Sequence, residues 1–230
     1  AFKISPPGTF PAKIQTPVRS RMQKATERAF AHPPKETAMN RLFRRGLLAA
    51  TLLATPLAFA ADLAGTHIDD RASVAGTELV LNGAGLRTRF MLKVYTIGLY
   101  LPKRSDSLVS VSASPGAKRI LITTLRDLSA DDFANALIEG VRRNLSDADL
   151  ANLQSRLDEF RTTLLGLRTA PSGTQIRIDW LPASGTRLSI GNETRGKDIP
   201  GEDFYRALLR IWIGDKPVDE DLKNALLGKR

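Results

Sequence analysis

The chain has no cysteine among its 230 residues, so no disulfide can staple it and any folded domain must be held by its core alone. Histidine is almost as scarce. Of two in the whole sequence, only His67 lies beyond residue 60. A metal site needs three or four converging ligands, and His67 with Asp69 and Asp70 does not supply them, so these read as solvated polar residues. A single histidine near one end also makes a Ser-His-Asp hydrolase set unworkable. Long apolar runs are missing too: the longest, Gly46–Leu57, is short for a bilayer span. No internal repeat is present.

Basic charge looks abundant, at a formal +10, but it is unevenly placed. Residues 1–60 hold 10 Lys+Arg against 2 Asp+Glu, a net +8, and residues 61–230 hold 24 against 22, a net +2. The folded part therefore has no basic excess with which to grip nucleic acid. Residues 39–60, MNRLFRRGLLAATLLATPLAFA, place Arg41, Arg44 and Arg45 before the apolar run and end on Ala58-Phe59-Ala60. That is the pattern of a secretory signal peptide, cleaved before Ala61 and directing the protein to the periplasm, with no transmembrane segment left afterwards. Residues 1–38 are basic, Pro-rich and without hydrophobic periodicity, so they are expected to be unstructured. Because a signal peptide belongs at an N-terminus, they read as a spurious extension upstream of Met39. Residues 61–230 are long enough for one good core.

In that domain Thr77–Asn82 reads as a strand stopped by a turn at Gly83-Ala84-Gly85. Leu86–Leu101 then reads as one long strand, with Phe90, Leu92, Val94, Ile97, Leu99 and Tyr100 packing. Residues 105–113 are ambiguous, and Lys118–Leu125 is a further strand. Ser129 and Ser146 stand where N-caps belong, each with Asp three residues on, and predict two helices. Their apolar stripes are Phe133, Ala136, Leu137, Gly140 and Val141, then Leu150, Leu153, Leu157, Phe160 and Leu164. Thr174–Leu181 alternates with period two and pairs with Thr186–Asn192 as a hairpin. Helices follow over Glu202–Ile213 and Pro217–Leu227. This order predicts an α+β domain, with helices layered on one face of an antiparallel sheet.

Candidate chemistry is confined to one stretch. Asp147, Asp149 and Asp219–Asp221 sit at helix starts, where carboxylates favour the dipole, and Arg142-Arg143 is a solvated helix end. Strict alternation puts Arg87, Arg89, Lys93 and Tyr95 on one face. Arg89 and Lys93 read as solvent-facing. Arg87, directly after Gly-x-Gly, offers a planar fork of donors for a carboxylate or phenolate. The residues after the glycines do not open a helix, which rules out a dinucleotide fingerprint. In a straight strand Arg87 and Tyr95 would lie about 26 Å apart, and no Gly or Pro between them signals a reversal.

The segments NGAGLR, KVYTIGLYLP and ALLRIWIGDKPVDEDLKNALLG resemble the chalcone isomerase-like superfamily, in its bacterial exported branch, over roughly residues 65–230. The resemblance implies an open-faced β-sandwich, an antiparallel sheet under a layer of helices with a ligand cleft between them. In plant chalcone isomerases an arginine after the Gly-x-Gly stabilises the attacking phenolate, and Arg87 matches it. The other polar positions fall on Tyr95 (with Thr96 beside it), Phe133, Gly140 and Ile211, so four of five donors are replaced. Fatty-acid-binding members carry an arginine and a Val-Tyr-x-x-Gly tyrosine that hold the acyl carboxylate. Arg87 and Val94-Tyr95-Thr96-Ile97-Gly98 resemble that pair, with Phe133 and Ile211 lining an apolar cleft. The resemblance thus implies non-catalytic binding of a small amphipathic anion such as a fatty acid, without a cofactor or metal. An isomerase (intramolecular lyase) acting on a flavonoid-like phenolic with Arg87 as the catalytic residue, and a structural or interaction domain, are the alternatives.

Overall fold

The structure, a computed structural model, describes residues 61–229. The segments read as an upstream extension (1–38) and a signal peptide (39–60) lie outside the described residues. The β-branched and aromatic stretches pair into one curled sheet of seven antiparallel strands, in the order β11-β10-β9-β6-β5-β4-β3. Its strands are β3 (Arg71–Val74), β4 (Thr77–Arg89), β5 (Leu92–Leu101), β6 (Lys118–Thr124), β9 (Gln175–Leu181), β10 (Gly185–Ile190) and β11 (Glu193–Ile199). Two small hairpins flank it, β1 (Ala61–Leu63) with β2 (Thr66–Ile68), and β7 (Leu128–Ser129) with β8 (Thr169–Ala170). The helices are α1 (Leu108–Ala113), α2 (Ala130–Arg142), α3 (Asp147–Leu165), α4 (Glu202–Ile213) and α5 (Glu220–Leu226). The α+β architecture expected from the sequence is the one observed. No helix among the described residues is long and apolar enough to cross a membrane.

Alternation along the strands decides which face the helices cover. Ile97, Ile122 and Ile176 stand in register across β5, β6 and β9, and Leu99, Ile120, Ile178 and Leu188 form the next row. Both rows are buried under Phe133 and Leu137 of α2, Leu157 and Phe160 of α3, and Leu208 and Trp212 of α4. Ser129 and Ser146 cap α2 and α3 as expected, accepting from the Asp132 and Asp149 amides. The other face carries a smaller cluster, Leu79, Leu81, Tyr100 and Leu181, closed by Ile68 and Val74. Beside it runs a charge row: Arg119 grips Asp179 with two 2.7 Å bonds, and Arg187, in register with Asp179, grips Asp198.

Three expectations are corrected. Leu86–Leu101 is not one strand. The chain reverses at Phe90-Met91, so β4 and β5 form a hairpin, and Phe90 and Leu92 are exposed rather than packed. Gly83-Ala84-Gly85 is not a turn but the interior of β4. Those glycines make room for α5: a methyl at Gly83 would overlap the Ala225 carbonyl, and one at Gly85 the Leu222 side chain. Asn82, an extra residue where the register of β4 slips, fixes the same contact. Its Nδ2 donates to the Leu226 carbonyl at 2.6 Å and the Ser105 carbonyl at 2.9 Å. Third, the chain between Asn192 and the last helices, read without a strand, forms β11, an edge strand whose charged ETRGKD sequence suits solvent. The ambiguous 105–113 stretch contains α1, closed by a Ser107–Ser110 capping box.

Seating α5 on glycine sets a test. Gly83→Ala forces the last helix off the sheet and should lower the unfolding free energy by about 1–3 kcal/mol, the usual cost of overpacking. Urea denaturation of the two proteins measures it, and an unchanged midpoint would mean that α5 does not depend on this contact.

Candidate functional site

The reversal at Phe90-Met91 places Arg87 directly opposite Tyr95, as register partners across the hairpin. The straight-strand separation therefore does not apply. A bulge at Val94 restores the alternation, so Arg87 and Tyr95 share the helix-covered face. There they meet α2 and α4 around a cavity of about 350 Å3, whose apolar wall includes Val94, Leu128, Phe133, Leu137, Ile211 and Val218. Of the five ligand-binding candidates, Arg87, Tyr95, Phe133 and Ile211 line this cavity and Thr96 does not. Thr96 falls between Tyr95 and Ile97, both turned to the helices, so its side chain faces the opposite side of the sheet.

Tyr95 is fixed at both ends. Its ring meets Phe133 edge-on at 6.4 Å, and its hydroxyl accepts a 3.0 Å bond from Trp212 Nε1 on α4. That leaves the phenolic proton free to donate toward a ligand. Burial pushes Tyr95 up to about 12, partly offset by the Trp212 bond and the positive charge of Arg87. At neutral pH the group is a neutral donor. Arg87 Nη1 donates to the Thr88 carbonyl at 2.6 Å and to Asp219 Oδ2 at 3.2 Å. Both bonds use one nitrogen, so Nε and Nη2 keep donors without a partner among the described residues. Asp219 has two functions: its Oδ1 caps α5 by accepting from the Leu222 amide, and its Oδ2 balances Arg87.

The cavity mouth is charged. Arg89 and Arg143 stand there with Asp132 and Glu139, and Arg143 pairs with Glu139 at 3.8 Å. Arg89 and Arg143, expected to be merely solvated, thus reach the site as well. Trp212 was not anticipated as a site residue at all. The only sequence signal for it is its place in the ALLRIWIG segment. Gly140 has a packing function, since a methyl there would lie 2.8 Å from Ile211 Cγ2; its absence lets α2 close on α4 behind the cavity. Among the lining residues Tyr95 is the sole hydroxyl. The arrangement suits an anion or phenol at Arg87 and Tyr95 with an apolar body beyond. His67 lies away from it, on the exposed β1–β2 hairpin between Asp62 and Asp69.

Comparison with known proteins agrees with this architecture. The family model described as chalcone isomerase-like matches residues 60–228. Among solved structures, the Arabidopsis thaliana fatty-acid binding protein superposes with a TM-score of 0.54 at 15% identity, covering 74% of this chain and 95% of that one. At that identity the likeness is one of fold. No curated protein matches the sequence.

All three tyrosines are withdrawn from water. Burial raises Tyr95 and Tyr100 to about 12 and Tyr205 well above its usual value. In the unfolded chain each ionises near 10. Below that pH both states hold the protons and stability is full; as pH rises from about 10 the unfolded state loses them first, and stability falls. Ultraviolet titration of the native protein should show no phenolate signal at pH 10, with all three appearing together on alkaline unfolding. A tyrosine titrating near 10 in the folded protein would place its hydroxyl in water.

Proposed function

Because this chain belongs to the chalcone isomerase-like family, we propose that its cavity binds, without catalysis, a small amphipathic anion such as a fatty acid. The observation that carries this is the pairing of Arg87 and Tyr95 across one hairpin at the head of an apolar cavity. Arg87 offers charge-assisted donors to a carboxylate and Tyr95 adds a neutral one. At ~30 Å3 per water-sized group, the cavity holds about a dozen non-hydrogen atoms. That suits a medium-length acyl chain such as decanoate. An intramolecular addition of phenolate to enone would need several donors around the developing charge. Phe133 and Ile211 provide none, so the isomerase reading keeps only Arg87 and the Tyr95 hydroxyl as donors.

A second reading rests on the Arg87–Asp219 bond, which would make Arg87 a structural tie between β4 and α5. Two variants separate the readings. With decanoate as probe and Trp212 fluorescence as readout, Arg87→Ala should weaken binding about tenfold or more, as for a lost charge-assisted bond. Asp219→Asn removes the competing carboxylate and should tighten it. No saturable response in the native chain, with both variants losing only stability, would leave Arg87 as the tie.

We further read the protein as an exported, periplasmic member of the family. The support is the Arg-rich, apolar and Ala58-Phe59-Ala60 succession of residues 39–60. Protein recovered from the periplasm of an expressing Gram-negative cell should begin at Ala61; cytoplasmic protein retaining residues 39–60 would refute export.

A further inference from the structure

Four two-residue hairpin turns join strands among the described residues: Ala64-Gly65, Ala75-Gly76, Phe90-Met91 and Gly191-Asn192. In three of them glycine takes a positive φ, as such turns require. The β4–β5 turn alone has none. Phe90 and Met91 both hold positive φ, at 47° and 64°, a conformation that bulky side chains adopt only against a steric cost. Nothing in the fold returns that cost, because Phe90 is 85% exposed and Met91 96% exposed. Leu92, next in the chain, is 54% exposed. These three adjacent residues, with Val109, are all the large hydrophobic side chains exposed among the described residues, against 40 buried hydrophobic ones.

The charges on the hairpin tip itself are of one sign, although Asp127 follows Arg126 in the chain and Asp132 and Glu139 share the cavity mouth with Arg89. Residues 88–93 include no acid. Arg89 lies 5.2 Å from the Phe90 ring, and Lys93 stands on the return strand. Leu125 donates its amide to the Val94 carbonyl, which brings exposed Arg126 to the same end of the sheet. Among the described residues none of the three forms an ion pair, whereas Arg87 and Arg143 are balanced by Asp219 and Glu139. At ~3.4 Å per residue, Arg89 and Lys93 trail the apolar tip by about 3–7 Å. That spacing fits a bilayer surface, where apolar groups enter the boundary by about 5–10 Å and cations stay with anionic headgroups.

We infer that the β4–β5 hairpin tip is a membrane-docking element, with Phe90, Met91 and Leu92 entering the acyl boundary of an anionic phospholipid bilayer and Arg89, Lys93 and Arg126 resting on its headgroups. A narrow wedge of apolar residues with a cationic collar matches this partner better than a protein groove, which would need a shaped face of its own. Arg89 also lines the cavity mouth, with Asp132, Glu139 and Arg143, so docking would bring that mouth near the headgroups. The inference does not depend on what the cavity holds.

Vesicle flotation tests it, with equal parts phosphatidylglycerol and phosphatidylethanolamine set against pure phosphatidylcholine. Both apolar clusters lie within residues 61–229, so the chain from Ala61 is used beside the full-length chain. This keeps the basic residues 1–60 from accounting for any difference. The native chain should float with the anionic vesicles. The double variant Phe90→Asn with Met91→Gly installs the pair that this turn favours. It should keep or raise the thermal midpoint yet lose about tenfold or more of the partitioning. Arg89→Ser and Lys93→Ser should each cost about fivefold on anionic vesicles and little on neutral ones. Equal binding by the Asn-Gly variant, or no flotation by the native chain from Ala61, overturns the inference.

Discussion

Arg87 and Tyr95 stand side by side because β4 turns back on itself within two residues. Everything at the cavity depends on that reversal. A longer loop would let the strands slip relative to one another, and a slip of one residue would turn the whole set to the other face. The bulge at Val94 then keeps Tyr95, and not Thr96, under the helices. Register puts Thr124 of β6 opposite Tyr95, and the hydrophobic rows of Ile97 and Leu99 follow from the same parity. The site is thus part of the alternation that builds the core.

A second constraint joins the far end of the chain to this hairpin. The Tyr95 hydroxyl, withdrawn from water, would be costly without a partner. Trp212 supplies one from α4, 117 residues away in sequence. Arg87 likewise meets Asp219, whose other oxygen begins α5. α5 can approach only because Gly83 and Gly85 have no side chains, and Asn82 holds its last turn. The polar groups of the site and the seating of the final two helices are one system. A change in the packing of α5 on β4 moves the acid that shares Arg87.

The larger elements were readable in sequence because their signals are local. Ser129 and Ser146 precede amphipathic runs, and the period-two run of Ile176, Ile178 and Trp180 is unmistakable. The β4–β5 hairpin was not readable, because its turn lacks the glycine or asparagine that usually announces one. The opposite error arose at Gly83-Ala84-Gly85. Glycine there answers to a helix about 140 residues later, and local pattern cannot separate a close approach from a turn. Arg87 stood out through its place after those glycines. Trp212 and Arg143 did not, since a buried indole in an apolar helix face and an arginine at a helix end each have an ordinary explanation. What brings Arg143 to the cavity, and Trp212 to the Tyr95 hydroxyl, is tertiary contact alone.

The cavity's composition bears on what it can do. Where a catalyst of this fold would be expected to direct hydroxyls and amides, Phe133 and Ile211 present only carbon, and Gly140 lets α2 close on Ile211 behind them. Desolvation inside such a wall strengthens the few polar contacts that remain. Those contacts are asymmetric: a fork of cationic donors already shared with Asp219, and one phenol oriented by an indole. On the proposed reading, a carboxylate would share the guanidinium with Asp219, whose charge already offsets part of the attraction. Such sharing would favour exchange over permanent capture. A cavity that takes up and releases an amphipathic anion is what an arginine partly neutralised in advance would serve.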